Sequence, residues 1–234
     1  MISFIVPAHN EARLLGATLA ALHDAAASCG HASELIVVDD ASTDATAAIA
    51  TSHGARVLQV AHRHIAATRN AGARAAGGTR LVFVDADTRI GAGVLQAALA
   101  ALRTGAVGGG ATVRLHGDLA WHERLTARLA ASALRLARIA PGCFVFCTRE
   151  AFAAVGGFDE RYYAAEDIAI SRALARHGRF VVLRQEVWTS DRKLRTFPLL
   201  VHLRLLLRFA VRGTGMLKSR RDLELWYGER RDPP

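Results

Sequence analysis

The 234-residue sequence is poor in cysteine, and no stretch in it is long, apolar and uncharged. Its three cysteines (Cys29, Cys143 and Cys147) lack the C-x-x-C spacing of a metal site, so we expect reduced thiols in a reducing compartment. A membrane-spanning helix needs about 18 consecutive apolar residues, which this sequence does not supply. ISFIVP follows Met1 without a basic leader, so the sequence predicts no secretory signal and a cytoplasmic location.

Lysine is also scarce, since Lys193 and Lys218 are the only lysines among 30 basic residues. The formal net charge is +9, and residues 191–234 carry 11 basic and 5 acidic residues, so the excess is concentrated in this C-terminal segment. Leucine dominates the segment, and it lacks the interleaved aromatic side chains on which nucleic-acid bases stack. The charge therefore does not indicate nucleic-acid binding.

Apolar runs in the first hundred residues predict strands, and alanine-rich stretches between them predict helices. The runs are ISFIVP, ELIVVDD, ARVLQVA and RLVFVDAD, and the helical stretches are Glu11–Ser28, Thr43–His53 and His64–Gly77, the second with an N-cap region at Ser42 and Thr43. This alternation predicts an α/β fold with a mostly parallel sheet flanked by helices. Ligands bind beyond the carboxyl ends of such strands, so residues 7–11, 39–40 and 85–87 are expected to share one edge.

The second half is less regular, but no linker separates it from the first. GAVGGGATVRL, CFVFCT and RFVVL predict strands, and Asp118–Ile139, Glu150–Val155 and Glu166–His177 predict helices. We therefore interpret the chain as one continuous domain with a C-terminal appendage that begins at about Thr189.

The run LVFVDADTRI ends a predicted buried strand with two aspartates, Asp85 and Asp87. Two carboxylates offset by two residues point to the same side of a strand end, where they can share Mg²⁺ or Mn²⁺ and so hold a diphosphate. The structural alternative is a solvated strand end at which Asp87 caps the next turn.

Two other catalytic interpretations of this pattern fail on spacing. A dehalogenase-type phosphatase carries D-x-D-x-T on its first strand, whereas Thr88 directly follows Asp87 and the strand is the fourth. A dinucleotide-binding fold needs a glycine-rich turn after the first strand, where this chain has PAHNE.

Asp39 and Asp40 end the second strand. A carboxylate at that position can accept a hydrogen bond from a ribose hydroxyl or from the imide N–H of uracil. The structural alternative is that Asp40 caps the helix that follows. We favour Asp39 as the functional residue and leave both roles open for Asp40.

Five motifs follow one another in the chain: VPAHNE, VVDDASTD, TRNAGARAAGG, FVDADT and GGFDERYYAAED. Over about residues 2–183 they resemble the family-2 glycosyltransferases with the GT-A fold. The resemblance implies a Rossmann-like GT-A domain that transfers a sugar, with inversion, from a nucleotide diphosphate to a hydroxyl or lipid-linked acceptor. It favours UDP over GDP. The alternative is a non-catalytic nucleotide-sugar-binding or scaffold protein with the same fold.

The resemblance also implies roles for individual residues. Those assigned to the nucleotide are Pro7, Ala8, Asn10, Glu11, Asp39, Arg69, Asp85 and Ala86, and those assigned to the metal are Asp85 and Asp87. The alternative for Arg69 is that its side chain does not contact the nucleotide and covers the surface of its own helix. On this basis residues 1–188 form the GT-A domain, with 1–104 as the nucleotide-sugar half and 105–188 as the acceptor half, followed by a basic helical tail at 189–234.

Glu166 and Asp167 open a predicted helix, where ordinary first-turn acids are common because the helix N-terminus favours negative charge. In the family that the chain resembles, the aspartate of this pair is the general base, which takes the proton of the acceptor hydroxyl while a metal stabilises the departing diphosphate. We therefore predict Asp167 as the base, with Glu166 as the second candidate or an acceptor-binding partner.

One position departs from the resemblance. In similar polyprenyl-phosphate sugar transferases, a glutamine two residues after the second aspartate can ligate the metal, whereas this chain has Arg89, which cannot. Arg89 is instead suited to pair with a diphosphate. The third protein ligand of a Mn²⁺ or Mg²⁺ ion is therefore unassigned, with His116 and His202 as guesses.

The tail contains PLLVHLRLLLRFAVR, over residues 198–212. Arg204, Arg208 and Arg212 recur every four residues, so a helix here would carry a basic stripe and a broad leucine face. This composition is typical of a helix that lies in a membrane surface, which would place the protein peripherally on the inner face of the membrane. The alternative is a helix that covers the protein's own domain or the second subunit of a homodimer.

Overall fold

The structure of the protein is a computed structural model that describes residues 1–115 and 135–190. The strands are β1 (Ile2–Ala8), β2 (Ser33–Asp40), β3 (Arg56–Val60), β4 (Arg80–Val84), β5 (Thr88–Arg89), β6 (Ala106–Leu115), β7 (Phe144–Thr148) and β8 (Arg179–Thr189). The helices are α1 (Leu15–Cys29), α2 (Thr46–Ser52), α3 (Ile65–Ala75), α4 (Ala92–Arg103), α5 (Arg149–Ala154) and α6 (Glu166–His177).

All eight strands belong to one sheet in the order β3-β2-β1-β4-β7-β6-β8-β5. The pairs of β1 with β2 and β4, of β2 with β3, and of β6 with β8 are parallel. Strand β7 runs antiparallel between β4 and β6, and β5 pairs antiparallel with β8. The predicted mostly parallel sheet is therefore confirmed, and strands from both predicted halves of the domain share it.

Helices cover both faces of this sheet. Side chains alternate along the strands, so that Phe4 packs in the cluster beneath α1 and α4 while its neighbour Ile5 packs in the opposite cluster. That second cluster also contains Leu174 of α6 and Phe158. We refer to the two sides as the α1/α4 face and the α3/α6 face.

Helix α1 begins at Leu15, four residues later than predicted. The N–H of Glu11 donates to the hydroxyl of Thr46 at 2.8 Å, and the N–H of Ala12 donates to the Asp44 carboxylate at 3.1 Å. These bonds hold residues 11–14 in a turn against the start of α2. Asp44 also accepts from the N–H of Thr46 at 2.9 Å. The N-cap residue of α2 is Ala45, and neither Ser42 nor Thr43 takes that position.

Helix α4 was not predicted from the sequence, although Gly91 precedes it and its apolar residues follow a helical period. Val94, Leu95, Ala98 and Leu99 are buried on the α1/α4 face. By contrast, α6 has the bounds that the sequence predicted.

Two predicted helices lie outside the described residues, namely most of Asp118–Ile139 and the tail segment 198–212. Within residues 1–115 and 135–190, no helix is both long enough and apolar enough to span a membrane. The three cysteines lie in these ranges, and none forms a disulfide, as expected.

Candidate active site

The three polar clusters predicted to meet do lie on one edge of the sheet. Ala8 of β1 pairs with Asp39 of β2, and β1 and β4 run parallel, so the residues that follow all three strands emerge at the carboxyl edge. Helix α6 begins at the same edge, where the Asp167 carboxylate accepts from the N–H of Gly142 at 2.9 Å. The candidate site is therefore built on strand ends and one helix start.

Backbone strain is concentrated at this edge. Asn10, Ala41, Arg63 and Ala165 have positive φ angles between 49° and 64°. Residues other than glycine adopt this backbone conformation at a cost in free energy. Asn10 and Ala41 follow the ends of β1 and β2, and Ala165 directly precedes Glu166. Such strain persists where surrounding contacts fix it, and it is frequent at functional sites.

The loop after β1 is fixed by hydrogen bonds to the loop after β2. The N–H of Asn10 donates to the hydroxyl of Ser42 at 3.0 Å, and the N–H of Thr43 donates to the Asn10 side-chain oxygen at 2.8 Å. The His9 ring lies 2.8 Å from the carbonyl oxygen of Asp40. Of the residues predicted to bind the nucleotide, Pro7 and Ala8 end β1, and Asn10 and Glu11 lie in the loop that these bonds fix.

Asp39 and Asp40 have different surroundings, although both are buried. Asp39 accepts one bond, from the N–H of Ser42 at 3.1 Å. Asp40 accepts from the N–H groups of Arg63 (2.8 Å) and His64 (3.2 Å) and from the hydroxyl of Thr68 (2.8 Å). Asp40 therefore anchors the start of α3, where His64 is the N-cap residue, and does not cap α2 as the structural alternative supposed; its oxygens are occupied by protein donors.

The turn that carries Asp85 and Asp87 is tied to several elements. The N–H of Asp85 donates to the carbonyl oxygen of Cys143 at 3.0 Å, and its own carbonyl accepts from the N–H of Thr88 at 3.0 Å. The carbonyl of Ala86 accepts from Thr18 at 2.8 Å, and the hydroxyl of Thr189 lies 3.4 Å from Asp87 Oδ1. Both aspartates are half-buried, and the backbone bond from Thr88 to Asp85 closes the turn.

Arg69 connects this turn to the start of α6. Its Nη2 donates to Asp85 at 2.7 Å and to the carbonyl of Gly142 at 2.8 Å, and its Nη1 donates to Glu166 at 2.8 Å. The side chain is 2% exposed. It therefore does not cover the surface of its own helix, and its predicted contact with the nucleotide stays a prediction.

Gly142 completes the link between the two acidic groups. Its N–H donates to Asp167 while its carbonyl accepts from Arg69. A Cβ at this position would lie 3.1 Å from the Asp167 side chain, closer than an ordinary van der Waals contact. Gly142 and the pairing of Arg69 with Glu166 were not predicted from the sequence, because contacts across 73 and 97 residues leave no local pattern.

The buried charges at the site do not balance. Asp85, Glu166 and Asp167 all interact with the single guanidinium of Arg69. Burial raises the pKa of Glu166, an effect that Arg69 opposes and Asp167 reinforces. Burial also raises the pKa of Asp167, again opposed by Arg69. The site therefore favours a bound cation or proton, and its two central carboxyl groups are poised to exchange protons closer to neutral pH than usual.

A complete metal cage is not found in residues 1–115 and 135–190, where no three His, Cys, Asp or Glu side chains converge to hold an ion. His116 and His202, the two guesses for a third ligand, lie outside the described residues. Arg89 is exposed on β5 and pairs across the sheet with Trp188.

Comparisons with known proteins were made for the sequence and for the fold. The family model described as "Glycosyl transferase family 2" matches residues 3–156. No match was found among curated proteins.

Several solved structures share the fold. TarS of S. aureus in complex with UDP is 20% identical with a TM-score of 0.63, and the match covers 81% of this chain and 60% of that of TarS. Mannosyltransferase PcManGT from Pyrobaculum calidifontis, in complex with GDP-Man and Mn²⁺, is 21% identical with a TM-score of 0.66 (90% and 64% covered). Mannosyl-3-phosphoglycerate synthase from Rubrobacter xylanophilus is 19% identical with a TM-score of 0.62 (99% and 77% covered). The predicted fold class is therefore confirmed, and the chain spans about 60% of the TarS chain.

Proposed function

Since the chain belongs to glycosyl transferase family 2, we propose that it transfers a sugar from a nucleotide diphosphate donor to a hydroxyl acceptor. The observation that carries this proposal is the position of Arg69, which joins Asp85 to Glu166 through bonds of 2.7 and 2.8 Å. This bridge connects the turn at residues 85–87, which we assign to the donor, with Glu166 and Asp167, which we assign to the acceptor reaction. A two-substrate reaction requires the two groups to lie close together.

We propose that Asp167 is the general base. The Glu166 side chain is 9% exposed and is held by Arg69. Asp167 is half-buried, and it accepts from the backbone N–H groups of Gly142 at 2.9 Å and Ile168 at 2.8 Å. In the reaction, the acceptor oxygen forms a bond to the anomeric carbon as its proton passes to Asp167, and the bond from that carbon to the diphosphate breaks. Attack opposite the leaving group inverts the anomeric configuration.

A divalent cation, Mn²⁺ or Mg²⁺, fits the turn after β4. Asp85 and Asp87 offer carboxylate oxygens next to a buried group with excess negative charge, and such ions accept water or phosphate oxygens as remaining ligands. Bound there, the ion would neutralise charge on the departing diphosphate. PcManGT, which has the same fold, was crystallised with GDP-Man and Mn²⁺.

For the donor we propose a UDP-sugar, held by the loop after β1 and by Asp39. The loop is fixed by hydrogen bonds to the loop after β2, and Asp39 has one described donor, the N–H of Ser42, so its second oxygen is suited to accept from a ribose hydroxyl or a base N–H group. The division of the domain into a nucleotide half (1–104) and an acceptor half (105–188) remains part of this proposal.

The experiment is incubation of the full-length protein with a panel of UDP- and GDP-sugars, with Mn²⁺, with Mg²⁺ and with a chelator, while release of nucleotide diphosphate is measured. We expect slow, metal-dependent hydrolysis of one donor even without the acceptor. Binding of a donor without any release, under every acceptor tested, would favour the non-catalytic nucleotide-sugar-binding protein. Failure to bind any donor by a folded protein would contradict both.

A further inference from the structure

A cluster of exposed side chains lies at the far end of the sheet from β3. Trp188 of β8 pairs in register with Arg114 of the parallel strand β6 and with Arg89 of the antiparallel strand β5. Directly paired residues share a face of a sheet, so the three side chains form one group. We name these residues, together with Glu186, the Trp188 patch.

The patch lies on the α3/α6 face, where Asp167 also lies. Along β6, Gly108 faces Leu174 of α6 and Gly110 faces Ala140, so alternation places Arg114 on this face as well. Ala140 is two residues from Gly142, which binds Asp167. Arg114 lies four positions beyond Gly110 on β6, or roughly 13 Å along the strand, so the patch lies farther toward the carboxyl edge than Gly110 does.

Arg114 is held in place by two neighbours. Its guanidinium carbon lies 4.6 Å from the centre of the Trp188 ring, and its Nη1 donates to Glu186 at 3.2 Å. Stacking on an aromatic ring fixes the plane of a guanidinium before a ligand arrives, which lowers the entropy lost on binding. The Arg114 side chain is still 58% exposed and Trp188 is 37% exposed.

The patch is also connected to the turn predicted to hold the metal. The residue after Trp188, Thr189, bonds through its hydroxyl to that of Thr88 at 2.9 Å and lies 3.4 Å from Asp87. Arg89 is the second residue after Asp87. The patch and this turn are therefore adjacent along β5 and β8, although the side chains of Trp188 and Thr189 leave β8 on opposite faces.

Charge divides this part of the molecule into two regions. Asp85, Asp87, Glu166 and Asp167 make the carboxyl edge negative despite Arg69, whereas the patch carries two arginines against Glu186. A small molecule with a hydroxyl at one end and an anion at the other would be repelled from the acids and attracted to the patch by its anionic end. This arrangement would leave the hydroxyl near Asp167.

We propose that the Trp188 patch is an acceptor subsite that binds the phosphate, or an equivalent anionic group, of a compact phosphorylated alcohol. Arg114 and Arg89 contact the anion and Trp188 orients Arg114. Arginine suits this role because its planar set of N–H donors matches phosphate oxygens. The inference rests on the proposed function in that it identifies the patch as the acceptor side of the same site.

The test is a calorimetric titration of the full-length protein with sn-glycerol 3-phosphate and, separately, with glycerol. Each titration is made in the presence and absence of UDP and Mn²⁺. We expect the protein to bind sn-glycerol 3-phosphate and not glycerol. Arg114→Ala and Trp188→Ala should each weaken it about tenfold or more, while Trp188→Phe retains most of it. Arg172→Ala removes an equal charge from an exposed position on α6, and it should leave binding unchanged.

A parallel titration with vesicles that contain phosphatidic acid distinguishes a soluble ester from a lipid headgroup. Binding there that depends on Arg114, without binding of glycerol 3-phosphate, would keep the phosphate site and assign it to a lipid. Equal binding by wild type, Arg114→Ala and Arg172→Ala, or no binding of either phosphate, would overturn the proposal.

Acceptor-independent hydrolysis of the donor separates this proposal from the one on which it rests. We expect Arg114→Ala to hydrolyse the donor at the wild-type rate, because Arg114 is not among the residues proposed to hold the donor. If wild type neither binds nor hydrolyses any donor, the proposed function fails, whatever the phosphate titration shows. If hydrolysis is normal but the phosphate titration is not affected by Arg114→Ala, only the subsite fails.

Discussion

Individual residues at the carboxyl edge differ in whether protein atoms already occupy their polar groups. Asp40 is saturated by Arg63, His64 and Thr68, whereas Asp39 has one described donor. The sequence predicted that these residues share the carboxyl edge, because polar residues follow the apolar run of each strand. The division of labour between two adjacent aspartates was not predictable, because it depends on α3, which lies more than 20 residues away.

The two aspartates should therefore respond differently to substitution. Asp40→Ala removes three hydrogen bonds and should lower the free energy of unfolding by about 2–4 kcal/mol. Asp39→Ala should cost about 1 kcal/mol of stability but weaken UDP binding about tenfold or more, through loss of a bond to a charged acceptor. Denaturant unfolding and nucleotide titration of both variants check this. Equal loss of UDP affinity in two stably folded variants would contradict the assignment.

Arg69 should control the pH dependence of stability. In wild type, burial raises the pKa of Glu166, so the folded state binds protons more tightly than the unfolded state and stability falls as pH rises from about 4.3 through the raised value. Arg69→Met removes the cation that opposes this shift and leaves buried carboxylates unpaired, so we expect a loss of about 3–5 kcal/mol at pH 8.

That loss should shrink as the pH falls toward 5, because protonation of Glu166 removes the unpaired charge. Denaturant unfolding over this pH range is the measurement. Arg69→Met with Glu166→Gln is the control, since it has no Glu166 charge to leave unpaired, and its stability should change less with pH than that of Arg69→Met alone. An effect of Arg69→Met that is independent of pH would mean that Arg69 acts by packing alone.

Among the secondary-structure elements, the strands were predicted best, because each is a short apolar run between polar residues. The antiparallel placement of β7 and the helix α4 were not predicted. The direction of β7 is set by its pairing with β4 and β6, which the pattern of a single strand does not reveal. The periodic run of α4 was missed because it begins only five residues after the strand-end residue Asp87. The long loop between α5 and α6 is held by Asn70, which bonds to Phe158 at both its N–H and carbonyl groups.

Two adjacent glycines in this loop provide a matched test of that anchor. Gly156 and Gly157 have φ angles of 80° and 76°, so alanine at either position is strained by roughly 1–2 kcal/mol. A Cβ on Gly156 would meet nothing within 4 Å, but one on Gly157 would lie 2.8 Å from the Asn70 side-chain oxygen. Gly157→Ala should therefore be the less stable variant by at least about 1 kcal/mol in thermal or denaturant unfolding. Equal stabilities would show that Asn70 does not fix the loop.

At the scale of the whole molecule, the basic C-terminal segment remains a prediction from sequence alone. We propose that residues 198–212 bind a membrane surface through leucines that enter the acyl region and arginines that contact anionic headgroups. Full-length protein should float with vesicles that contain anionic lipid, and less so at high salt. Arg204→Glu with Arg208→Glu should abolish flotation, since each arginine contributes about 1 kcal/mol.

Arg220→Glu with Arg221→Glu is the matched control, because it changes the charge equally outside that segment. It should reduce flotation less. Absence of flotation by wild type at low salt would instead indicate a segment that covers its own domain or a second subunit.

The central claim is that one site divides donor binding and proton abstraction between the turn after β4 and the start of α6. The most direct measurement compares Asp87→Ala with Asp167→Asn for affinity toward UDP with Mn²⁺ and for the rate of sugar transfer or donor hydrolysis. Asp87→Ala should lose metal-dependent UDP binding. Asp167→Asn should bind UDP as wild type does, while transfer falls by about 10²–10⁴-fold, as expected for loss of a general base. Wild-type UDP affinity in Asp87→Ala, or wild-type transfer in Asp167→Asn, would contradict the account.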